Sequence, residues 1–168
     1  MSKSAVELAI ELEKKGHEYY QEHAASADNP LAKRVLSSLA QQELDHLGYI
    51  EDYAEGKSIS VADYESEDDI EAQVKEVFNQ FSAKEREGWK AANVEVYEHA
   101  MELERDIYQA YQKLAAETDD QEAQKFFEIM MEEETKHLES LENVHYFLTE
   151  TGDWLASEES QVWNWMNT

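Results

Sequence analysis

Two Glu-x-x-His strings, Glu43 to His46 and Glu134 to His137, carry most of the chemistry that this chain's residue types permit. Each begins thirty residues after another glutamate, Glu13 in the first case and Glu104 in the second. A tyrosine stands seven residues after each of those, Tyr20 and Tyr111. The pattern repeats at an offset of 91 without a gap: the run Ala9–Tyr20 lies over Ala100–Tyr111, Glu43 over Glu134, and His46 over His137. Glutamate and histidine at i and i+3 share one face of a helix. Carboxylates and imidazoles turned toward one point form a donor set suited to divalent metals. In a Glu-rich chain a single Glu-x-x-His is readily a surface pair. Here, however, only six histidines are present, and two of them occupy the same repeat position. All four glutamates also interrupt apolar stripes, where an unpaired charge would be costly, and two divalent cations would balance them.

The elements that must position these groups are helices. Five Gly and one Pro in 168 residues, with 42% hydrophobic residues and many Glu, Ala, Leu and Lys, favour an all-α fold. Ser4 and Glu7 form a capping-box pattern that opens a first helix running to about Ala25. Its inward stripe is Val6, Ala9, Ile10, Glu13, His17, Tyr20 and Ala24. Ser26 to Pro30 is a turn, and a second helix follows from about Leu31 to Tyr53 with the stripe Val35, Leu39, Glu43, His46, Leu47 and Ile50. Residues 55–88 form a crossover, with Asp68-Asp69 capping a short helix that carries Ile70, Val74, Phe78 and Phe81. A third helix runs from Trp89 to Glu117, with Val94, Tyr97, Met101, Glu104, Tyr108, Tyr111 and Leu114 inward. After a turn at Thr118 to Asp120, a fourth runs to about Thr151, with Phe126, Met130, Glu134, His137, Leu138, Leu141 and Leu148 inward and Gly152 as its cap. The organisation expected is one bundle domain over 1–152, made of repeats 4–54 and 89–151. A Trp-rich extension, 153–168, holds Trp154, Trp163 and Trp165, expected to pack on the bundle or on a second subunit.

The spacing has a geometric consequence. Asp28, in the first turn, is midway between Glu13 and Glu43, and Asp119, in the second, is midway between Glu104 and Glu134. In antiparallel hairpins with equal arms the paired glutamates come level. Pairing two such hairpins about a pseudo-twofold axis gathers Glu13, Glu43, His46, Glu104, Glu134 and His137 at one depth. That is the ligand set of the ferritin-like di-iron bundles, one Glu from each of two helices and Glu-x-x-His from the other two.

Over about residues 4 to 150 these motifs resemble the rubrerythrin and bacterioferritin branch of the ferritin-like superfamily. The resemblance implies an antiparallel four-helix bundle with a long crossover between the second and third helices, two iron ions per chain, and manganese or zinc as substitutes. It makes Glu43 and Glu134 the bridging carboxylates, and Glu13 with His46 and Glu104 with His137 the terminal ligands. Tyr20 and Tyr111 match tyrosines that hydrogen-bond ligand carboxylates, although aromatic packing accounts for each equally well. The catalytic group so implied is Glu43, Glu134, Tyr20 and Tyr111. Three departures stand out. Full-length rubrerythrins carry a cysteine-ligated iron domain, and this chain has no cysteine. Their additional glutamate three residues after the third-helix ligand is Ile107 here, which leaves the more symmetric set. Bacterioferritin's haem-binding methionine is replaced by Leu44, so haem is not expected.

The implied activity is non-haem di-iron oxidoreductase chemistry: Fe(II) oxidation coupled to reduction of hydrogen peroxide or dioxygen, with reducing equivalents from an external donor protein. The alternatives are iron storage or cargo in a protein shell, with the tail as a docking peptide, and a metal-free helical interaction module. A homo-oligomer, dimer or larger, is expected. The balance of 14 Lys+Arg against 39 Asp+Glu, a net charge of −25, repels nucleic acid and anionic membranes and concentrates cations. It is equally the mark of a solvated acidic exterior. No apolar run approaches a membrane span, and no signal-peptide core is evident, so a cytoplasmic setting is expected. His17, one turn after Glu13, reads first as a satisfied core histidine and second as a donor to a ligand or an alternative ligand. His23, His99 and His145 read as structural or exposed.

Overall fold

Residues 4–57 and 94–149, with the isolated positions 76, 80, 82, 84, 85 and 88, are described by a computed structural model. The long elements are four helices: α1 (Ala5–Ser26), α2 (Pro30–Ala54), α3 (Val94–Glu117) and α4 (Gln121–Thr149). Among the described residues there is no strand. Of the expected short helix at 70–81 only positions 76 and 80 are described, both helical; Ile70, Val74, Phe78 and Phe81, the start of the third helix at Trp89, Gly152 and the tryptophan-rich tail lie outside the described residues.

Local chemistry accounts for the boundaries. Ser4 accepts from the Glu7 backbone N–H while the Glu7 carboxylate accepts from the Ser4 N–H, closing the capping box. The α1/α2 turn ends where Asn29 Oδ1 accepts from the Ala32 N–H and Pro30 occupies the first helical position, where its missing N–H costs nothing. Gly56, with φ of 69°, supplies the left-handed conformation just past the end of α2. At α4, Asp120 Oδ1 accepts from Glu122 N–H. Asp28 and Asp119 do fall in the two turns, so both hairpins have the equal arms that the glutamate spacing requires.

Helices α1 and α2 pack as one hairpin, α3 and α4 as the other, and α1 lies against α3. The apolar interior is divided in two. One cluster holds Tyr20, Val35, Leu36, Leu39, Tyr97, Met101, Leu141 and Val144. The other holds Ala9, Ile50, Leu103, Ile107, Tyr111, Phe126, Phe127 and Met130. On every helix the expected metal ligands fall in sequence between members of these clusters. A polar layer therefore crosses the middle of the bundle with hydrophobic packing on both sides.

The stripes differ from expectation at one equivalent place in each repeat. Gly16, not His17, is the buried residue between Glu13 and Tyr20, and Ile107, not Tyr108, lies between Glu104 and Tyr111. His17 and Tyr108 are only partly buried.

Candidate metal centre

All six side chains expected from the repeat meet in the polar layer: Glu13, Glu43, Glu104 and His137 are 0% exposed, Glu134 1% and His46 3%. One donor atom from each of Glu43, His46, Glu134 and His137 can be chosen so that all four lie within 4.8 Å of one another. The pseudo-twofold is visible atom by atom. His46 Nδ1 is 2.9 Å from Glu134 Oε1 and 3.6 Å from Glu13 Oε2. His137 Nδ1 is 3.1 Å from Glu43 Oε1 and 3.5 Å from Glu104 Oε2. The imidazole rings stack, with centroids 5.1 Å apart and planes 10° from parallel. Each histidine thus sits beside the terminal glutamate of its own repeat and the Glu-x-x-His carboxylate of the other.

These approaches are not hydrogen bonds of acceptable direction. Of ten buried side-chain nitrogen and oxygen atoms without a hydrogen-bond partner among the described residues, eight belong to this layer. They are both oxygens of Glu43 and Glu134, one each of Glu13 and Glu104, and Nδ1 of each histidine. Buried polar atoms are seldom left so, and orphaned carboxylates in a dry layer are costly. Six oxygens and two nitrogens converging without protein partners fit a pair of divalent cations, each with one imidazole, one terminal carboxylate and a share of two others.

The remaining atoms of the terminal groups are held. Tyr20 Oη donates to Glu104 Oε1 and Tyr111 Oη to Glu13 Oε1, so each tyrosine serves the other repeat's glutamate. Burial, and then the negative charge of Glu104 and Glu13 respectively, pushes both phenols well above their ordinary range, which keeps them protonated as donors. His137 Nε2 lies 2.7 Å from Gln42 Oε1. An amide oxygen only accepts, so Nε2 carries a proton and Nδ1 is the ring atom that faces the carboxylates. Such outer partners fix the tautomer and orientation of a ligating imidazole.

Without cations the layer resolves its repulsion by taking up protons. Burial pushes the Glu43 carboxyl well above the ordinary range, and the charges of Glu134, Glu104 and Glu13 push it further. Glu104 is raised to about 7 by burial, opposed by His137. Burial alone would lower His46, but Glu134 and Glu13 outweigh it and raise the ring to about 10. His137 is likewise raised against its burial, chiefly by Glu104. Glu134, although buried, is held below the usual carboxylate range by the two imidazoliums.

A family model described as rubrerythrin matches residues 4–145. The chain belongs to the rubrerythrin family. Comparison with curated proteins and with solved structures gave no match. The rubrerythrin relationship and the buried Glu/His layer together fit a di-iron site in an all-helical bundle. Within that family frame Ile107 is fully buried in an apolar cluster, so the position of the additional glutamate is packing, not donor set.

His17 stands apart from the layer. Its Nδ1 donates to the Ala40 carbonyl at 2.6 Å across the α1/α2 hairpin. That leaves it a satisfied, partly buried histidine and not part of the gathered donor set. The His23 ring lies tilted against Tyr19, with centroids 4.3 Å apart, and His145 Nε2 is 3.4 Å from Glu98, both away from the layer. Two residues that matter were not singled out from sequence. Gln42, fixing His137, carries the faint signal of a polar residue beside a bridging position. Gly16 carries a stronger one, a mid-helix glycine that costs stability unless something needs the space. A Cβ there would lie 3.2 Å from Glu43 Cδ and 3.3 Å from Oε2.

Proposed function

We propose that this rubrerythrin-family chain is a cytoplasmic non-haem di-iron oxidoreductase that couples Fe(II) oxidation to reduction of hydrogen peroxide or dioxygen. The observation that carries the reading is the set of eight unpartnered donor atoms on six side chains in one sealed layer. In this reading Glu13 with His46 holds one ion, Glu104 with His137 the other, and Glu43 and Glu134 are shared. Iron held there supplies the two electrons that reduction of peroxide to water consumes. The chain's own part is to keep the donor atoms in place and dry. Tyr20 and Tyr111 each occupy one oxygen of a terminal glutamate, leaving the other free. Gln42 turns the His137 lone pair inward. The two apolar clusters exclude bulk water, which strengthens every charge interaction between them. The chain has no cysteine, so re-reduction falls to a separate donor protein. Oligomerisation, dimer or larger, belongs to the same proposal.

Anaerobic titration with Fe(II) should approach two equivalents per chain, and Glu43→Ala or Glu134→Ala should abolish the pair. Stopped-flow oxidation of the loaded protein should proceed with both oxidants, with sustained turnover only when a donor is added. A stoichiometry near zero, or one indifferent to both substitutions, defeats the reading. A preference for peroxide beyond about a hundredfold, roughly 2.7 kcal/mol in barrier height, would show that the symmetric donor set does not govern oxidant choice.

A further inference from the structure

Among the described residues, one cleft reaches the buried layer from outside and a second, on the other hairpin, does not. Between α3 and α4 a cleft of about 350 Å³ has Glu104 and Glu134 in its lining, with Arg105, Tyr108, Gln112 and Leu138 among its walls. Between α1 and α2 a cleft of about 330 Å³ is lined by His17, Gln21, Lys33, Ala40 and neighbours, and by none of the six layer residues. Offset 91 sets Tyr108 over His17 and Gln112 over Gln21, so the clefts share these two wall positions on the first helix of each hairpin, while their second-helix walls lie at different levels. In the α1/α2 cleft the His17 ring bonds the Ala40 carbonyl across the hairpin. Tyr108, in the related position, lines the α3/α4 cleft.

We propose that the α3/α4 cleft is the route by which divalent cations reach the carboxylate layer, and that the α1/α2 cleft is closed to them. The proposal rests on the di-iron reading of the layer. Three observations beyond the cleft itself support it. Glu104 Oε2 and both oxygens of Glu134, on the residues that line it, are buried atoms without partners. Its one arginine is neutralised locally, Arg105 lying 3.3 Å from Glu142 at the surface. The α1/α2 cleft instead carries Lys33, which repels a cation. Cations are drawn to the surface by a net charge of −25. The inner end of the route is shut at rest, since Glu104 and Glu134 are 0% and 1% exposed. Entry therefore needs a side-chain displacement at the walls, where Tyr108 and Leu138 are partly buried. Partly exposed side chains change rotamer quickly, and such motions gate access in many sites.

Gln112 and Gln21 provide a matched test, being the same exposed residue at related positions of the two clefts. Co(II) uptake by the metal-free full chain is followed by stopped-flow absorbance, with end-point stoichiometry and thermal melts measured beside it. Gln112→Trp should slow uptake by about tenfold or more, roughly 1.4 kcal/mol in barrier height, with end-point and melting temperature unchanged. Thr135→Trp, from the α4 wall of the same cleft, should slow it likewise. Gln21→Trp should load at the wild-type rate. Wild-type rates in both α3/α4 variants, equal slowing by Gln21→Trp, or a lowered end-point at unchanged rate overturn the route while leaving the site reading intact. A wild-type chain that binds no Co(II) or Fe(II) overturns the site reading itself, and the route with it.

Discussion

Gly16→Ala should separate what the fold needs from what the metal site needs. A glycine inside α1 is destabilising by roughly 0.5–1 kcal/mol relative to alanine, so on helix propensity alone the substitution strengthens the metal-free protein. The added Cβ would stand 3.2 Å from Glu43 Cδ and 3.3 Å from both Cγ and Oε2. Comfortable carbon contacts lie at about 3.5–4.0 Å, so the Glu43 carboxyl must retreat by about 0.3–0.8 Å. In the metal-free chain that end of a flexible side chain can move, and most of the propensity gain survives. In the loaded chain Glu43 would be shared between two ions, where ligand distances hold to about 0.2 Å. Metal affinity should then fall by about 10- to 100-fold, as for other changes just outside a ligand shell. In a chain of this size the metal-free melting temperature should stay constant or rise by up to about 4 °C. Calorimetric titration with Fe(II) under anaerobic conditions, beside melts in chelator, reads both quantities. Unchanged affinity at full stoichiometry would refute the claim that Gly16 exists to make room for Glu43. A metal-free protein several degrees less stable would show instead that Glu43 cannot yield even without metal.

Three further outcomes are expected. A chelator should lower the melting temperature of the loaded protein by about 5–10 °C, since ligand at a hundredfold its dissociation constant adds about 2.7 kcal/mol; identical midpoints would contradict a metal-binding layer. The metal-free chain should lose stability as pH rises from about 4.5 to about 7 through Glu104, and from about 6.5 to about 10 through His46. In both windows the folded state binds more protons than the unfolded one. Metal affinity should rise over the same range because the protons must leave, and guanidinium titrations with and without metal check the opposite signs. Gln42→Leu should cost about 10- to 100-fold in metal affinity while leaving the helical circular dichroism unchanged, and wild-type affinity would show that the His137 bond is incidental.

How much of this was legible in the sequence follows from which signals repeat. The six layer residues and the two tyrosines were found because the same types recur at one offset, and chance rarely aligns two scarce histidines. The hairpin geometry was legible because the glutamate midpoints fall on turn residues, and the helix starts because Ser4, Glu7 and Pro30 carry known end chemistry. The stripes failed at His17 and Tyr108 for one reason. Positions three and four after Glu13 or Glu104 both suit a 3.6-residue period, and packing against the facing helices decides between them. A glycine and an isoleucine won over a polar ring and a phenol. Gln42 was missed because α2 buries a wider face than a simple stripe, with Ser38 and Gln42 inside beside Glu43 and His46. Only the arrangement of α2 against α4 shows what its amide is for. The crossover and the tryptophan tail lie outside the described residues.

The division of the core ties stability to function. A bundle of these four helices could have carried one continuous hydrophobic interior, and at the six layer positions it gives up that burial for charge. Nothing among the described residues pairs the eight free donor atoms, so the layer cannot be what holds the helices together. That work falls to Tyr20, Leu39 and Leu141 on one side and Ile107, Phe127 and Met130 on the other, all buried. The metal-free layer is tolerable only because it takes up protons, on His46, His137 and Glu43 first. Those protons are what an entering cation must displace. Affinity for metal is therefore a competition with protons inside a scaffold held by packing on either side of the layer. The same competition explains why the tyrosines and Gln42 hold the outer atoms of the terminal glutamates and of His137 while leaving the inner ones bare. A partner on the inner atoms would quiet the repulsion and remove the driving force for binding.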